Sequence, residues 1–367
     1  MNFEFSEEQN MLRDQARNFL DAKCSLKVVR GILDGEDSFA RDVWAEMKQL
    51  GWMGTSIPEE FGGLGMTDLE LCVIAEELGR SLAPTPFSSS VYLFAETLLT
   101  AGSEDQKKDT LPNVASGDTI GTLAISESAS APTAVNVTAR DSKLSGIKLP
   151  VTDGDVADKA IVLAKDDDGM SLYLTDLTDS TVRRHTLKSI DPTRSQARIE
   201  FSSTPAERLG GAGQGWELLN KIYDSAAVLF AFEQVGGAQA ALDQARDYAL
   251  DRYAFGRPIG SFQAIKHKLA DMYVATELAR SNSYYGAWAL SNDAPELPIA
   301  AATARVSATE AFELCSKENI QTHGGMGFTW EFDCHMFYRR SKLLAVNLGS
   351  LSRWKDRLVT NIEQTNW

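Results

Sequence analysis

A cation, an aromatic ring and an amide lie close together in one short stretch, at Arg252, Phe255 and Gln263. A guanidinium has a fixed charge and can form paired hydrogen bonds to anionic oxygens, which an ammonium group does less well. Each residue type also has an ordinary structural role. Arg252 could be a helix-end cation stabilised by the helix dipole, and Phe255 could fill a core. The residue types alone do not decide between ligand binding and these structural roles.

The elements around this stretch predict where the three side chains lie. Residues 226–251 and 263–290 have apolar positions at helical spacing, and each pattern is long enough for a helix of many turns. Between them, Gly256, Pro258 and Gly260 exclude a continuous helix. The sequence therefore predicts a short helix–helix connection that presents the cation and the ring, with Gln263 at the start of the next helix.

The full string from Arg252 to Gln263, Arg-x-x-Phe-Gly-x-x-Ile-x-x-Phe-Gln, closely resembles the helix–turn–helix of the acyl-CoA dehydrogenase family. The resemblance implies that Arg252, Phe255 and Gln263 reach the FAD of a neighbouring subunit. In that role the guanidinium would bind pyrophosphate or ribose oxygens, and the ring would pack against the cofactor.

Two further segments resemble the same family. The loop from Gly51 to Gly65 matches its G-W-x-G-x-x-x-P-E-x-F-G-G-x-G pattern, and residues 320–328 match its Q-x-x-G-G-x-G-F turn. The turn implies FAD contacts from Gln321 and from the backbone of Gly324 and Gly325. The two glycines also suit a helix C-terminus. We interpret His323, between them and Gln321, as a structural residue.

The middle of the chain resembles the family less closely. Ser126 and Thr152 fall where the family has residues that face the flavin, so the resemblance implies FAD contacts from both. Ser128–Pro132 replaces the family's Gly-rich segment at the acyl-CoA mouth, and Pro150 replaces an aromatic residue that shields the flavin. These departures leave the CoA site and the shielding of the cofactor open.

The catalytic base is the largest departure. Removing a weakly acidic α-proton from a thioester needs a carboxylate with a raised pKa. Leu348 stands at the position where the family usually has its catalytic Glu, and Ala226 stands near the position where some members have it. Neither residue has a carboxylate. Glu233 lies two turns beyond Ala226, a rise of ~10 Å, in an apolar stretch. It is either buried with a partner or facing a cleft, and it is the candidate base that remains. The resemblance places Gly349 and Ser350 among the FAD contacts.

Composition limits the class of protein. A net charge of −15 argues against nucleic acid and anionic membranes as partners. The four cysteines include no C-x-x-C pair, which favours free thiols in a reducing cytoplasm over disulfides or a zinc site. The start, residues 1–5, has no signal-peptide pattern, and no apolar run approaches ~20 residues. We predict a cytoplasmic protein with no membrane span and no metal site.

The predicted fold class is α+β in the order helical, β, helical, which is also the order of the resembled family. The predicted domains are an N-terminal α-helical domain (1–118), a middle β domain (119–208) and a C-terminal four-helix bundle (209–367). The helices that the patterns predict are about 40–50, 68–82, 92–111, 217–251, 263–292, 297–319 and 332–362. The clearest β-type runs are 120–125, 159–164 and 171–174.

The resemblance implies an oligomeric FAD enzyme, a tetramer in the family's manner, for α,β-dehydrogenation of an acyl-CoA. Electron-transfer flavoprotein or a similar acceptor is the implied partner. Two alternatives stay open. One is a non-catalytic or half-catalytic subunit of a hetero-oligomer, as in relatives that handle bulky, steroid-like or dicarboxylic acyl chains. The other is a flavoprotein of the same fold that acts on a non-CoA substrate. Fatty acid or steroid side-chain degradation is the expected setting.

Overall fold

The computed structural model describes residues 6–128 and 135–364. Helix α1 begins at Glu7 with the capping box that its sequence predicts: the Ser6 hydroxyl accepts from the backbone N–H of Gln9, and the Gln9 side chain accepts in return from the backbone N–H of Ser6. The helices that precede the sheet are α1 (Glu7–Lys23), α2 (Leu26–Asp34), α3 (Arg41–Gln49), α4 (Asp68–Arg80), the π-helical segment Ser88–Ala95, α5 (Glu96–Ala101) and α6 (Glu104–Ala115).

The single helix predicted for about 92–111 is wrong, because the structure divides it. Gly102 has extended backbone angles and ends α5. Ser103 then caps α6 through a second capping box with Gln106. The sequence signals for both events are local, a Gly followed by a Ser-x-x-Gln, and the apolar pattern that runs across them concealed the break.

The middle segment forms a seven-stranded sheet, as the β-type runs predict. Five strands close on themselves in the order β4–β2–β3–β7–β5 and back to β4, while β1 pairs with β4 and β6 pairs with β7. The five residues 160–164 of strand β4 are buried. The strands are β1 (Gly121–Ala124), β2 (Thr138–Arg140), β3 (Lys143–Thr152), β4 (Lys159–Asp166), β5 (Gly169–Asp176), β6 (Val182–Leu187) and β7 (Gln196–Leu209).

Long helices follow the sheet: α7 (Gly215–Asp251), α8 (Gln263–Ser291), α9 (Leu297–His323), α10 (Cys334–Leu344) and α11 (Leu351–Gln364). The single helix predicted for 332–362 is also wrong, because residues 345–350 separate α10 from α11. Gly349 has a φ of 99°, which a continuing helix excludes, and the Ser350 hydroxyl accepts from the backbone N–H of Arg353 at the start of α11.

The chain forms two compact units, and neither is continuous in sequence. One comprises the described parts of Met1–Arg30, Asp68–Ala83 and Ala227–Trp367, and we call it the helical unit. The other comprises Gly31–Thr67 and Pro84–Ala226, contains the sheet, and is called the β unit. The order of helix, sheet and helix along the chain confirms the predicted fold class. The boundaries between the three predicted domains stay a prediction.

Small residues allow close packing in the helical unit. A Cβ at Gly79 of α4 would lie 1.8 Å from the carbonyl oxygen of Glu233 in α7, and one at Gly236 would lie 1.9 Å from that of Glu76. Helices α4 and α7 therefore cross in near backbone contact. Alanines line the contact between α7, α8 and α9 in the same way. This packing fixes the position of the α7 segment that contains Glu233.

Candidate functional site

The connection between α7 and α8 is an exposed tip, which we define as Arg252–Gln263. Strands β8 (Tyr253–Ala254) and β9 (Arg257–Pro258) form a two-residue hairpin in which Phe255 and Gly256 have φ of 53° and 78°. A hairpin turn of this kind needs positive φ at both central residues. For an aromatic residue this backbone is unfavourable by ~1–2 kcal/mol. The Phe255 side chain is nevertheless 97% exposed, with an edge-to-face contact to the ring of Phe262 at 6.2 Å between centroids.

The polar side chains of the tip are also directed outward. Arg252 and Gln263 are exposed, and their side chains make no hydrogen bond or ion pair within residues 6–128 and 135–364. By contrast, the neighbouring Arg257 lies over the ring of Phe262, 4.1 Å from its centroid. An exposed ring, together with a guanidinium and an amide whose hydrogen-bonding groups are unused, suits an anionic, aromatic cofactor such as FAD.

A second segment, Gln321–Phe328, is held beside the base of the tip. Tyr248, one turn before Arg252 on α7, stacks on His323 with ring centroids 4.1 Å apart. Its hydroxyl lies 3.7 Å from the sulfur of Met326, and Asn319 donates to Gln244 at 2.7 Å. The Gln321–Phe328 segment is therefore joined by side-chain contacts to the end of α7, just before the tip. Sequence reasoning missed Tyr248, which only its helical spacing from Arg252 could have indicated.

The Gln321–Phe328 segment presents backbone to its surroundings. Gln321 is exposed near the end of α9, and Gly324 has a φ of 59°. A Cβ added at Gly324 or Gly325 would meet no atom within 4 Å. The space that these glycines leave open therefore lies outside the chain and suits the close approach of a ligand. This observation fits FAD as well.

His323 has a packing role in this segment. It is 4% exposed, stacks on Tyr248, and donates from Nδ1 to the carbonyl of Asn319 at 2.8 Å. Burial lowers its pKa, which favours the neutral ring at neutral pH, and the bond to Asn319 only partly offsets this. The geometry agrees with the structural interpretation of His323.

Glu233 has the first of the two environments that the sequence left open. It is 0% exposed, and its carboxylate lies 3.7 Å from the guanidinium of Arg340, whose side chain is 1% exposed. A second buried cation, Arg305, is close enough for Glu233 to raise its pKa, although burial lowers that pKa more. Glu233 is thus a buried ion-pair partner and does not face a cleft. This geometry counts against the interpretation of Glu233 as the base, because a base must reach a substrate proton.

The segment that contains Leu348 is held from inside the helical unit. Leu348 is 4% exposed, and its carbonyl accepts from the Trp354 indole at 3.2 Å. Arg305 donates to the side chain of Asn347 at 2.8 Å, to the carbonyl of Leu344, and to Gln234 at 2.7 Å. Gly349 and Ser350, the predicted FAD contacts of this segment, are half-buried and exposed. Sequence reasoning missed Arg305, although a lone cation in an Ala-rich helix is the same signal that singled out Glu233.

Ser126 and Thr152 both belong to the β unit, where the segments that contain them are hydrogen-bonded to each other. The Leu149 N–H donates to the Ser126 carbonyl at 2.9 Å, and the Thr122 hydroxyl donates to the Thr152 carbonyl at 2.6 Å. Both predicted flavin contacts are half-buried, at the ends of β1 and β3. Of the altered segment Ser128–Pro132, all but Ser128 lies outside the described residues, as does the predicted chain start at residues 1–5.

Neither a metal-binding cluster nor a membrane-spanning helix is present in the described ranges. There, no group of three or more His, Cys, Asp or Glu side chains is placed to hold a metal ion. None of the described helices combines the length and the apolar character needed to cross a bilayer. All four cysteines are free and buried.

Comparison with known proteins gives a consistent result. Residues 6–118 match the acyl-CoA dehydrogenase N-terminal domain, and residues 213–353 match the acyl-CoA dehydrogenase C-terminal domain. The acyl-CoA dehydrogenase IpdE2 of Mycobacterium tuberculosis is 33% identical over 339 residues, which cover 91% of each chain.

Two solved structures are similar over nearly the full length. The glutaryl-coenzyme A dehydrogenase glutaryl-CoA complex superposes with a TM-score of 0.92 at 27% identity, covering 100% of this chain and 98% of that one. The ChsE4–ChsE5 complex from Mycobacterium tuberculosis superposes with a TM-score of 0.90 at 26% identity, covering 100% of both chains. With helical, β and helical segments in family order and these matches along its length, the chain belongs to the acyl-CoA dehydrogenase family.

Proposed function

We propose that this protein takes part in FAD-dependent α,β-dehydrogenation of an acyl-CoA thioester. The observation that supports this best is the tip, Arg252–Gln263, together with the adjoining Gln321–Phe328 segment. Both present exposed polar side chains, those of Arg252 and Gln263 without a partner within residues 6–128 and 135–364, and the two glycines Gly324 and Gly325 leave open space beside them. The family of the chain supplies the reaction class, and the tip supplies the chemistry that FAD requires.

The residues that would hold FAD are those of the two joined segments. Arg252 would bind its phosphate or ribose oxygens, Phe255 would pack on a ring, and Gln263 and Gln321 would form hydrogen bonds to the cofactor. When bound, FAD supplies the acceptor for the hydride that leaves the substrate β-carbon. Because these groups are directed away from their own chain, we propose that they reach the FAD of another subunit, which requires an oligomer.

The α-proton needs a separate acceptor, and the helical unit offers none at the usual position. Leu348 cannot accept a proton, and Glu233 is committed to Arg340. This favours the second candidate function, a subunit that completes its site with a homologous partner that contributes the carboxylate. The similarity to the ChsE4–ChsE5 complex, which contains two different chains, is in keeping with such an assembly. A homo-oligomer with Glu233 as its base remains the competing proposal.

The FAD assignment is tested by removing the guanidinium of Arg252. Arg252→Ala should weaken FAD retention by ~1.5–3 kcal/mol, the range for a hydrogen bond to a charged group. Flavin per subunit after gel filtration measures this. Arg246→Ala on the same helix is the matched control, since Arg246 is half-exposed and paired with Asp243 and Asp247. Equal flavin content in both variants would contradict the assignment.

The source of the base is tested with the purified chain alone and with a Glu-bearing homologue. Turnover of ~1–10³ s⁻¹ with an acyl-CoA and an electron-transfer flavoprotein or artificial acceptor would contradict the need for a partner. Activity that appears only on co-expression would support it. Leu348→Glu is the direct complement, and an increase in turnover of the chain alone would identify this position as the missing base.

The substrate class is tested in the same experiments. A flavin-containing assembly that no acyl-CoA reduces, with or without the homologue, would favour the alternative of a non-CoA substrate. The steroid or fatty acyl nature of the chain would follow from a series of straight, branched and ring-bearing acyl-CoAs. The cytoplasmic location stays a prediction that fractionation of the source cells would test.

A further inference from the structure

A carboxylate in the β unit is saturated with hydrogen bonds at the end of strand β1. Glu127 accepts from the Lys148 ammonium at 2.7 Å, from the backbone N–H groups of Asn136 and Val137 at 2.7 and 3.0 Å, and from the Asn136 amide at 3.0 Å. An ionised carboxylate has about four acceptor sites, so Glu127 has little capacity left for another donor. These hydrogen bonds therefore fix the position of the Glu127 side chain.

Its partner is the most deeply buried lysine of the described chain. The side chain of Lys148 is 0% exposed, and its ammonium donates to the Ile125 carbonyl at 3.0 Å as well as to Glu127. Burial lowers the pKa of Lys148 to about 8, although Glu127 opposes the shift, and Glu127 is the charged group that faces it. Burial also raises the pKa of Glu127, but the bonds from Lys148 and the two backbone groups outweigh this and leave it lowered. Both groups are charged at neutral pH.

The pair lies where the sheet itself gives little support. The ladder between β3 and β7 is irregular between Lys148 and Val151, so Leu149 and Pro150 have no partners in β7. The contacts across to β1 replace them: Lys148 binds the Ile125 carbonyl, and the Leu149 N–H binds the Ser126 carbonyl at 2.9 Å. The segment just after β1 and residues 148–149 of β3 are thus fastened to each other by an ion pair and two hydrogen bonds.

We propose that Glu127 and Lys148 are positioning residues that hold Ser126 and Thr152 in the geometry required for contact with the flavin. The proposal rests on the proposed function, since it takes these two residues as flavin contacts. A buried ion pair often contributes no more stability than apolar residues of the same volume. Its placement beside the break in the β3–β7 ladder, with Glu127 directly after Ser126 and Lys148 four residues before Thr152, indicates that its function is to fix local geometry.

The test removes both charges together, because either charge alone would be buried without its partner. The double variant Glu127→Gln, Lys148→Met should keep a cooperative unfolding transition and bind FAD about tenfold more weakly, which corresponds to one lost hydrogen bond to the flavin. The absorption spectrum of any bound flavin should also shift, since the ring environment changes. Apoprotein titrated with FAD at pH 7 measures both. The control is Arg198→Met, Glu200→Gln, a half-exposed pair of β7 in the same unit.

The outcomes separate the two proposals. FAD affinity and spectrum unchanged in the double variant would overturn the positioning role. If the unsubstituted protein, with or without the homologous partner, binds no FAD, the proposed function itself fails. If the double variant does not fold, Glu127→Gln takes its place, because Lys148 can then become neutral and leave no unpaired buried charge. In the unsubstituted protein, FAD affinity should fall as pH rises through about 8, where Lys148 loses its proton. Without the carboxylate, Lys148 should lose its proton at a lower pH. In Glu127→Gln, the fall in FAD affinity should therefore occur at a lower pH. Identical pH profiles would overturn the proposal.

Discussion

The region around Glu233 lies inside helix α7 and the tip follows the end of that helix, and the two are in opposite physical situations. At the tip, Phe255 is 97% exposed in an unfavourable backbone conformation, and Arg252 has no partner within the described chain. Nineteen residues before Arg252, Glu233 is 0% exposed and paired with Arg340. The tip matches the family string and leaves its groups for a ligand. The interior departs from the family at the base and satisfies its charges internally.

The difference shows which part of the chain depends on other molecules. Groups that a chain leaves strained or unsatisfied at its surface gain their partners on binding. Groups that it buries and pairs contribute to its own folded state. We therefore expect substitutions in the interior to change stability, and substitutions at the tip to change assembly and cofactor retention. The following predictions test that separation, beginning with the largest effect.

Glu233→Gln should lower the free energy of unfolding by ~3–5 kcal/mol, because it leaves the buried Arg340 without its counter-charge. Denaturant unfolding measures this. Glu217→Gln on the same helix, where the carboxylate is largely exposed and paired with Lys221, should change stability by less than ~0.5 kcal/mol. If Glu233→Gln instead leaves stability unchanged and reduces turnover by ~10²-fold or more, Glu233 is the base and the comparison fails.

Gly79→Ala should lower the free energy of unfolding by ~1–3 kcal/mol, the usual cost of overpacking, since its Cβ would lie 1.8 Å from the Glu233 carbonyl oxygen. Gly325→Ala is the surface counterpart, because its Cβ would meet no atom of the chain within 4 Å. That variant should unfold normally and retain less FAD. A loss of stability at Gly325 equal to that at Gly79 would remove the contrast between the two regions.

Phe255→Gly should leave stability within ~1 kcal/mol of the original. Relief of the positive φ favours the variant, whereas the extra freedom of Gly in the unfolded chain opposes it. The same change removes the exposed ring, so we expect weaker association of subunits and lower flavin content. Light scattering and flavin absorbance measure these. Tighter association after removal of the ring would show that the tip does not face a partner or cofactor.

Acidification should loosen the contact between the tip and the Gln321–Phe328 segment. Burial lowers the pKa of His323, so below its unfolded pKa of ~6.5 the unfolded chain binds a proton more readily than the folded one. Stability should therefore fall as pH drops from 7 to 5, and His323→Gln should reduce this dependence. His185→Gln, at an exposed position of β6, is the control. The same slope in all three proteins would exclude His323 as its source.

Much of the fold could be predicted because its signals are local. The capping box at Ser6, the long apolar periodicities of α7 to α9, and the β-type runs of the sheet depend on residues within one element. The breaks at Gly102–Ser103 and at 345–350 were missed because helical periodicity continues on both sides of them. The short helix α2 and strands such as β2 and β6 had no clear pattern of their own.

By itself, the sequence determined the family, the order of helix and sheet, and the chemistry of the tip. The chemical groups of Arg, Phe, Gln and Gly are given by the residue types themselves, so their chemistry can be read from the sequence before the fold is known. Only the tertiary structure decided between the two environments of Glu233. Its partner Arg340 lies on another helix, 107 residues further along the chain (340 − 233). No local pattern in the sequence encodes that pairing. The ion pair between Glu127 and Lys148 likewise forms only when two strands come together in the fold. A buried charge requires a partner, and only folding can bring that partner to it.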